Sequence, residues 1–149
     1  MMLHFEDFAA GAVFPLGARR IDRDEIVAFA ERWDPQPMHL DEAAGAASML
    51  GGLSASGWHT ACVMMRLFVD GLLSKADSRG SPGIESLKWM RPVRPGDTLS
   101  ADLTILDTRL SRSRPTIGLV RGRFETVDQN GAAVLVMIAT VMMGTRAAA

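Results

Sequence analysis

WHTACVMMRLFVDGLL, residues 58–73, is mostly apolar, and its imidazole and charged side chains are His59, Arg66 and Asp70. At about 100° per helical residue, these three fall within about 40° of one another and leave the rest of the circumference mainly apolar. The stretch therefore predicts a helix that other parts of the protein surround on most sides. We interpret His59 as a structural or interfacial member of this polar stripe.

The residues before this helix favour a start at a loop of small side chains. Ser54 or Ser56 is suited to cap the helix, because serine hydroxyls accept hydrogen bonds from the first free N–H groups of a helix. Gly57 follows directly. The free backbone N–H groups of the first turn are therefore expected to point toward this Gly-Ser loop.

An amphipathic helix is predicted for residues 23–33, RDEIVAFAERW, from apolar residues at helical spacing. Asp22, with Glu25 three positions later, resembles a capping box at its start. Pro35 disfavours helical backbone at the residue before it, so the helix is expected to end near Asp34. A loop therefore begins at an acidic residue.

Two prolines stiffen that loop, DPQPMHLD, residues 34–41. Each proline fixes its own φ near about −65°, so the loop has few conformations in which to present Asp34 and His39. Asp41 then suits the cap of a second short helix, which a pair of glycines ends.

Strand patterns follow Pro82 and Gly83. Residues 98–108, TLSADLTILDT, alternate apolar and polar side chains, as expected of a half-buried strand. DQNG, 128–131, predicts a hairpin turn, and AAVLVMIATVMM, 132–143, predicts a central strand buried on both faces. Strands are also predicted for 84–90 and 116–127. The chain is thus of the α+β class, and an antiparallel sheet wrapped around one long helix would bury both.

Composition indicates one globular domain over residues 1–149. Of these residues 48% are apolar and 22% charged, a globular balance that sets aside the disordered and disulfide-rich classes. The 16 Lys and Arg against 17 Asp and Glu give no basic excess, which argues against nucleic-acid binding.

Other functional classes are set aside by what the sequence lacks. It has no uninterrupted apolar run long enough for a membrane span and no start resembling a signal peptide, so a cytoplasmic protein is expected. The lone Cys62 lies among apolar neighbours and is expected to be a buried thiol. With 3 His and 1 Cys, none spaced as ligand pairs, no metal site is predicted. No glycine motif predicts a bound nucleotide cofactor.

Five segments in the same order resemble the MaoC-like dehydratases, together with the (R)-specific enoyl-CoA hydratases. They are FEDFAAGAVF (5–14), IDRDEIVAFAERWDPQPMHLDEAAG (21–45), LGGLSASGWHTA (50–61), LKWMRPVRPGDTLSADLTIL (87–106) and ETVDQNGAAVL (125–135). The resemblance implies a hot-dog fold, an antiparallel sheet wrapped around a long central helix, in a homodimer or higher homo-oligomer. It also implies an acyl-CoA or similar thioester substrate, with coenzyme A as the carrier part of the substrate and no other cofactor.

The loop 34–41 carries the most specific part of the resemblance, because DPQPMHLD is similar to the family's D-x-N-P-x-H-x-D. By resemblance, Asp34 and His39 are the catalytic acid-base pair, and Gly57 supplies the backbone N–H that binds the thioester carbonyl. Gln36 stands where the family usually has Asn, and Ser56 where a His often precedes the glycine. We therefore place Gln36 and Ser56 with Gly57 among the oxyanion and substrate-binding residues.

The predicted activity is hydration of a 2-enoyl thioester or the reverse dehydration. A carboxylate and an imidazole that grip one water supply the acid-base chemistry, and a backbone N–H at the helix start stabilises the enolate oxygen. One alternative is a hot-dog thioesterase, which needs a carboxylate near the substrate carbonyl. Asp70, the only acid on the central helix, lies about three turns from the helix start, which argues against this alternative. Another is a noncatalytic acyl-thioester binding module, which the departures at Gln36 and Ser56 leave open.

Purely structural roles are alternatives to these catalytic assignments. Asp34 is also suited to bond the turn backbone before a proline, and His39 to be a hydrogen-bonded loop histidine. Basic residues near the following turn are interpreted as solvated surface rather than as contacts to carrier phosphates: Lys88, Arg91 and Arg94.

Overall fold

The computed structural model describes residues 1–148; Ala149, the last residue of the predicted single domain 1–149, lies outside them. The helices and strands of the described chain follow one another as β1 (Val13–Arg20), α1 (Arg23–Trp33), α2 (Glu42–Ala47), α3 (Gly57–Gly71), β2 (Gly83–Trp89), β3 (Thr98–Leu110), β4 (Ile117–Val127) and β5 (Ala133–Gly144). Short 3-10 turns lie at Phe5–Asp7, Pro37–His39, Leu73–Lys75 and Arg146–Ala148.

The strands form one antiparallel sheet in the order β1-β3-β4-β5-β2. Phe68 of α3 meets Phe124 of β4 edge to face, with ring centroids 4.7 Å apart, and both side chains are buried. Burying one such side chain is worth roughly 1.5–3 kcal/mol, so the contact anchors the helix at the middle of the sheet. The prediction of an α+β fold with an antiparallel sheet around a central helix is confirmed.

β1 is a strand that the sequence pattern did not predict. Its sequence, VFPLGARR, contains Pro15 and Gly17, and both residue types weaken a strand prediction. β1 lies at the edge of the sheet, where a strand tolerates the absence of the N–H group that proline lacks. Its pairing with β3 shifts register between Pro15 and Gly17. Gly17 has a φ of 102°, which glycine adopts without strain, so the irregular sequence fits an irregular edge strand.

α3 is buried on one side only, which corrects the prediction that protein surrounds most of it. The buried side carries His59, Thr60, Val63, Met64, Leu67 and Phe68. The opposite side exposes Trp58, Cys62, Met65, Arg66, Val69 and Asp70 to solvent. Cys62 is therefore exposed rather than a buried thiol, because it lies on the open side of the helix.

The hairpin before β5 is confirmed. The Asp128 N–H donates to the Ala132 carbonyl at 2.9 Å, and the Gly131 N–H donates to the Asp128 carbonyl at 3.0 Å. β5 itself differs from the prediction, because it lies second from the sheet edge and its residues alternate largely between buried and half-buried. β4 is the central strand instead.

The first two helices begin at the predicted caps. Asp22 accepts a hydrogen bond from the Glu25 N–H at 2.9 Å, and Asp41 accepts one from the Ala44 N–H at 2.9 Å. The Glu25 side chain turns to Arg19, at 3.0 Å, so only half of the capping box forms. Among residues 1–148, no helix is long and apolar enough to cross a membrane.

Candidate active site

Asp34 and His39 converge although each belongs to a different local element. Asp34 is the residue that ends α1, and His39 lies on the turn Pro37–His39. The Nε2 atom of His39 is 3.5 Å from Oδ2 of Asp34. Both residues line a cavity of about 490 Å³ that opens to solvent. The two-proline loop thus brings one carboxylate and one imidazole to the same cavity wall.

Two side chains hold the carboxylate of Asp34. The Ser56 hydroxyl donates to Oδ2 at 2.6 Å, and the Gln36 amide donates to Oδ1 at 2.7 Å. These hydrogen bonds, that of Ser56 first, lower the pKa of Asp34 from its ordinary value, and the nearby imidazole of His39 adds to the shift. Hydrogen bonds to the charged form favour ionisation, so Asp34 is a carboxylate at neutral pH.

The imidazole of His39 is fixed by a backbone carbonyl. His39 is 6% exposed, and its Nδ1 lies 2.7 Å from the Ser54 carbonyl oxygen. A carbonyl oxygen only accepts, so we assign the proton to Nδ1. In the neutral ring, Nε2 is then an acceptor, and it faces the carboxylate of Asp34. In this tautomer of the neutral ring, two acceptors lie side by side on the cavity wall.

One segment, Leu53–Gly57, buried except at its half-buried last residue, holds both groups and leads into the central helix. Ser54 supplies the carbonyl for His39, and Ser56 supplies the hydroxyl for Asp34. Ser56 is also the cap of α3, because its Oγ accepts from the Trp58 N–H at 3.3 Å. Gly57 is the first helical residue, so no carbonyl within the helix accepts its N–H. The sequence left open which serine caps the helix, and the structure gives that place to Ser56.

Trp89, at the end of β2, covers the start of α3. Its indole N–H donates to the Gly57 carbonyl at 2.7 Å, and its ring meets that of Trp58 edge to face at 5.2 Å. Both tryptophans line the same cavity as Asp34 and His39. Trp89 is not predictable as a site residue from the sequence, because its partner lies 32 residues away in the chain.

The structure brings together all five residues of the predicted site. Four of them line the cavity, namely Asp34, Gln36, His39 and Gly57. Ser56 reaches the site through its hydrogen bond to Asp34. Gln36 turns toward Asp34, so its longer amide serves the carboxylate within the loop. The roles of these residues in substrate binding and catalysis stay predictions.

The basic residues near the β2–β3 loop differ from one another. Arg94 is not a solvated surface residue, because its guanidinium donates to the Ser54 hydroxyl at 2.8 Å and to the Leu50 carbonyl. Arg91 lines the cavity and lies 3.5 Å from Asp128. Lys88 is exposed. In the chain up to residue 148, no group of three or more His, Cys, Asp or Glu side chains is placed to hold a metal ion.

His59 lies outside the cavity and does not belong to an exposed polar stripe, which corrects that part of the interpretation. Its ring is 7% exposed and stacks on Phe29 of α1 at 4.9 Å. Its Nε2 is 3.5 Å from Oε1 of Glu25, whereas Arg66 and Asp70 form an exposed pair of their own. Among the described residues, its Nδ1 has no hydrogen-bond partner. His59 therefore contributes to the packing of α1 on α3.

The burial of His59 predicts a loss of stability in acid. Burial, opposed by Glu25, lowers the pKa of His59 below its ordinary 6.5. The unfolded chain therefore binds more protons at this residue than the folded one. The contribution of His59 to stability is complete above about pH 6.5 and is lost as the pH falls through the folded pKa. In the His59→Gln variant, the free energy of unfolding is expected to fall less between pH 7 and pH 5, as measured by urea unfolding. Parallel curves for the two proteins over that range would contradict this expectation.

Comparisons with known proteins agree with this architecture. A family model described as MaoC like domain matches residues 9–125. The MaoC-like dehydratase of Rhodospirillum rubrum is 42% identical and superimposes with a TM-score of 0.91 over 97% of this chain and 98% of its own. The (R)-hydratase of A. caviae involved in PHA biosynthesis is 25% identical, with a TM-score of 0.67 over 91% of this chain and 97% of its own. A Mycobacterium tuberculosis protein with a double hot-dog fold is 20% identical, with a TM-score of 0.78 over 97% of this chain and 44% of its own.

Proposed function

The chain belongs to the MaoC-like domain family and has its hot-dog fold, and from this premise we propose that it hydrates 2-enoyl thioesters or catalyses the reverse dehydration. The observation that carries the proposal is the 3.5 Å separation of Asp34 Oδ2 and His39 Nε2 on the wall of one cavity. The likeness to an (R)-hydratase supports it. We further propose that coenzyme A is the carrier and that no other cofactor takes part.

The two acceptors suit one water molecule as the nucleophile. A water that donates one hydrogen to Asp34 and the other to His39 is oriented with its oxygen lone pairs toward the substrate. As the C–O bond forms at the β-carbon, the water gives one proton to the pair, and the pair returns a proton to the α-carbon. The pair thus ends in its starting state. Acid-base catalysis of this kind typically contributes about 10²–10⁴-fold.

The start of α3 suits the charge that develops on the substrate. Attack at the β-carbon moves electron density onto the thioester oxygen. The Gly57 N–H, which the helix does not use, would donate to that oxygen at the positive end of the helix dipole. A donor of this kind is worth roughly 3–4 kcal/mol of the barrier. Glycine also allows close approach, because it has no Cβ.

The site favours hydration over thioester hydrolysis. Asp70, the acid that a thioesterase on this helix requires, is exposed and paired with Arg66 at 2.7 Å. It does not line the cavity that holds Asp34 and His39. The carboxylate that lies in the cavity instead has a partner imidazole, as water addition needs.

A panel of enoyl-CoA substrates tests the proposal. The purified protein is incubated with each substrate, and double-bond absorbance and free thiol are followed together. Loss of the double bond without release of thiol is the expected result. Thiol release would identify a thioesterase, and binding without either change would identify a noncatalytic module; each would overturn the proposal.

The Gly57→Ala variant keeps the backbone N–H but adds a methyl group that displaces or obstructs it, and kcat/KM for hydration is expected to fall by up to about 10²–10³-fold, the size of losing one oxyanion donor. A Cβ at this position would lie 2.6 Å from Cε2 and 2.7 Å from Nε1 of Trp89, so the indole or the helix start must move. The double variant Gly57→Ala/Trp89→Ala, compared with Trp89→Ala alone, shows whether the loss of activity comes from the contact with the indole or from the helix start itself. If the added methyl then costs little, the clash with Trp89 is the cause; if wild-type activity persists in Gly57→Ala itself, the role of Gly57 is wrong.

We also propose that two copies associate through the open side of α3 and the free edge of β2. Met65 is 44% and Ile84 55% exposed, and an apolar cavity of about 350 Å³ lies between the two elements. An unpaired strand edge beside exposed apolar side chains is a surface that proteins normally cover.

The Met65→Glu variant is expected to sediment as a monomer, whereas the wild type and Met49→Glu sediment as dimers. Met49 is a matched control, because it is fully exposed on the loop after α2. A monomeric wild type or a dimeric Met65→Glu would contradict the proposed interface.

A further inference from the structure

The orientation of His39 depends on the segment Leu53–Gly57, and one residue from another part of the chain holds that segment. This residue is Arg94, in the loop between β2 and β3. Its guanidinium donates to the Ser54 hydroxyl at 2.8 Å and to the Leu50 carbonyl. Ser54 is the residue whose carbonyl accepts from His39 Nδ1 at 2.7 Å. Arg94 is therefore two contacts away from the imidazole.

Each polar group of Ser54 has a separate partner. Its hydroxyl donates to the Gly52 carbonyl at 3.1 Å and accepts from Arg94. Its N–H donates to the Met38 carbonyl at 3.2 Å, next to His39. Ser54 is 0% exposed, so no bulk water replaces these partners. The peptide plane that carries the Ser54 carbonyl ends in the Ala55 N–H, which donates to the carbonyl of Val93, the neighbour of Arg94, at 2.9 Å. The contacts of Ser54 and Ala55 together hold this plane.

The guanidinium is itself closely confined. A Cβ on Gly52 would lie 2.8 Å from Nη1 of Arg94, so glycine at 52 leaves the room that the guanidinium occupies. The backbone N–H of Arg94 donates to Asp97 at 2.8 Å, which ties the loop between β2 and β3 together. A planar, forked donor that bonds two acceptors at once fixes both of them.

We propose that Arg94 is a positioning residue for the reaction: by holding Ser54, it keeps the proton of His39 on Nδ1 and leaves Nε2 as an acceptor beside Asp34. This inference rests on the proposed function. Without the Arg94 guanidinium, Ser54 loses one of the contacts that hold it, while the bond from the Ala55 N–H to the Val93 carbonyl stays. The Ser54 carbonyl can then shift away from Nδ1 of His39. The imidazole then gains a second tautomer, in which Nε2–H donates to the carboxylate of Asp34. That hydrogen bond removes Nε2 as an acceptor and turns one lone pair of the carboxylate away from the water.

The experiment compares Arg94→Met, Arg94→Lys and the wild type by two readouts. The first is kcat and KM for enoyl-CoA hydration. The second is the ¹⁵N NMR spectrum of the imidazoles, which distinguishes the two neutral tautomers. The chain has 3 His, so the signals are assigned with His4→Gln and His59→Gln. Arg112→Met, on the exposed loop between β3 and β4, is the matched control.

The expected result is a loss of kcat of about 10²-fold in Arg94→Met with KM nearly unchanged, because a small misplacement of a reacting group has this cost. The His39 spectrum is expected to show the Nε2–H tautomer. Arg94→Lys keeps the charge without the fork, so an intermediate loss is expected. An unchanged His39 tautomer in folded Arg94→Met would overturn the proposal.

A second variant covers the case in which Arg94→Met does not fold. Ser54→Ala removes the hydroxyl that Arg94 holds and keeps the carbonyl that accepts from His39. A smaller shift toward the Nε2–H tautomer is expected there, and wild-type spectra would overturn the proposal. The tautomer is measured without substrate. If the wild type hydrates no enoyl-CoA, the proposed function fails while the positioning of His39 by Arg94 is still decided.

Discussion

Replacing Asp34 by asparagine is expected to lower kcat/KM for enoyl-CoA hydration by about 10²–10⁴-fold, the usual contribution of one acid-base group. The carboxylate accepts from Ser56 and Gln36 at once, and this pairing keeps it charged. An amide has the same shape but neither the charge nor the basicity to take a proton from water. The rate is measured by the loss of double-bond absorbance, and folding by circular dichroism.

Asp41→Asn is the matched control for this variant. Asp41 lies on the same loop and caps α2 through the Ala44 N–H at 2.9 Å. Asparagine caps helices about as well as aspartate, so the fold is expected to remain and the rate to stay near that of the wild type. An Asp34→Asn protein as active as Asp41→Asn would show that Asp34 only holds the turn.

Replacing His39 by asparagine is expected to cause a loss of the same order, about 10²–10⁴-fold. Asparagine places its amide nitrogen near the position of Nδ1, where it donates to the Ser54 carbonyl as the imidazole does at 2.7 Å. The variant therefore keeps the bond that orders the loop and removes only the Nε2 side of the ring. Any loss of rate at unchanged folding is then due to the atom that faces Asp34.

His59→Gln is the matched histidine control, because His59 is equally buried but lies outside the cavity. Its rate at pH 7 is expected to equal that of the wild type. The double variant Asp34→Asn/His39→Asn adds a further test. Groups that act as one unit are strongly non-additive, so it is expected to be little slower than either single variant. Fully multiplied losses would mean that the two residues act on separate steps.

The sequence was most informative where the physical causes are local. The caps at Asp22 and Asp41 and the break before Pro35 act within a few residues, and α1 ends where they predict. Contacts between distant residues were not predictable in this way. Ser54 and Ser56 both precede α3, so the sequence does not show which hydroxyl bonds Asp34. The fold decides this, because it brings Asp34 to Ser56, 22 residues away. Trp89 reaches Gly57 only because the sheet places β2 beside the helix start.

The burial errors have one common cause. The apolar stretch that forms α3 predicts contact on most sides, and Cys62 was assigned to the interior for the same reason. A pattern of apolar residues predicts which surfaces are shielded from water. It does not predict whether the same copy of the chain or a partner shields them. One copy of the chain leaves two surfaces uncovered, the exposed apolar side chains on the open side of α3 and the unpaired N–H and C=O groups at the free edge of β2, as the proposed dimer requires.

The support of both acceptors by Leu53–Gly57 has a consequence for protein design. The octapeptide DPQPMHLD is not a portable module, because the partners that aim its two reactive side chains lie 15 and 22 residues along the chain. A graft of the octapeptide alone onto another scaffold would reproduce the bend of the loop but not the orientation of its carboxylate and imidazole. A working transplant has to bring the serine-containing stretch with it, in the same spatial relation to the bend.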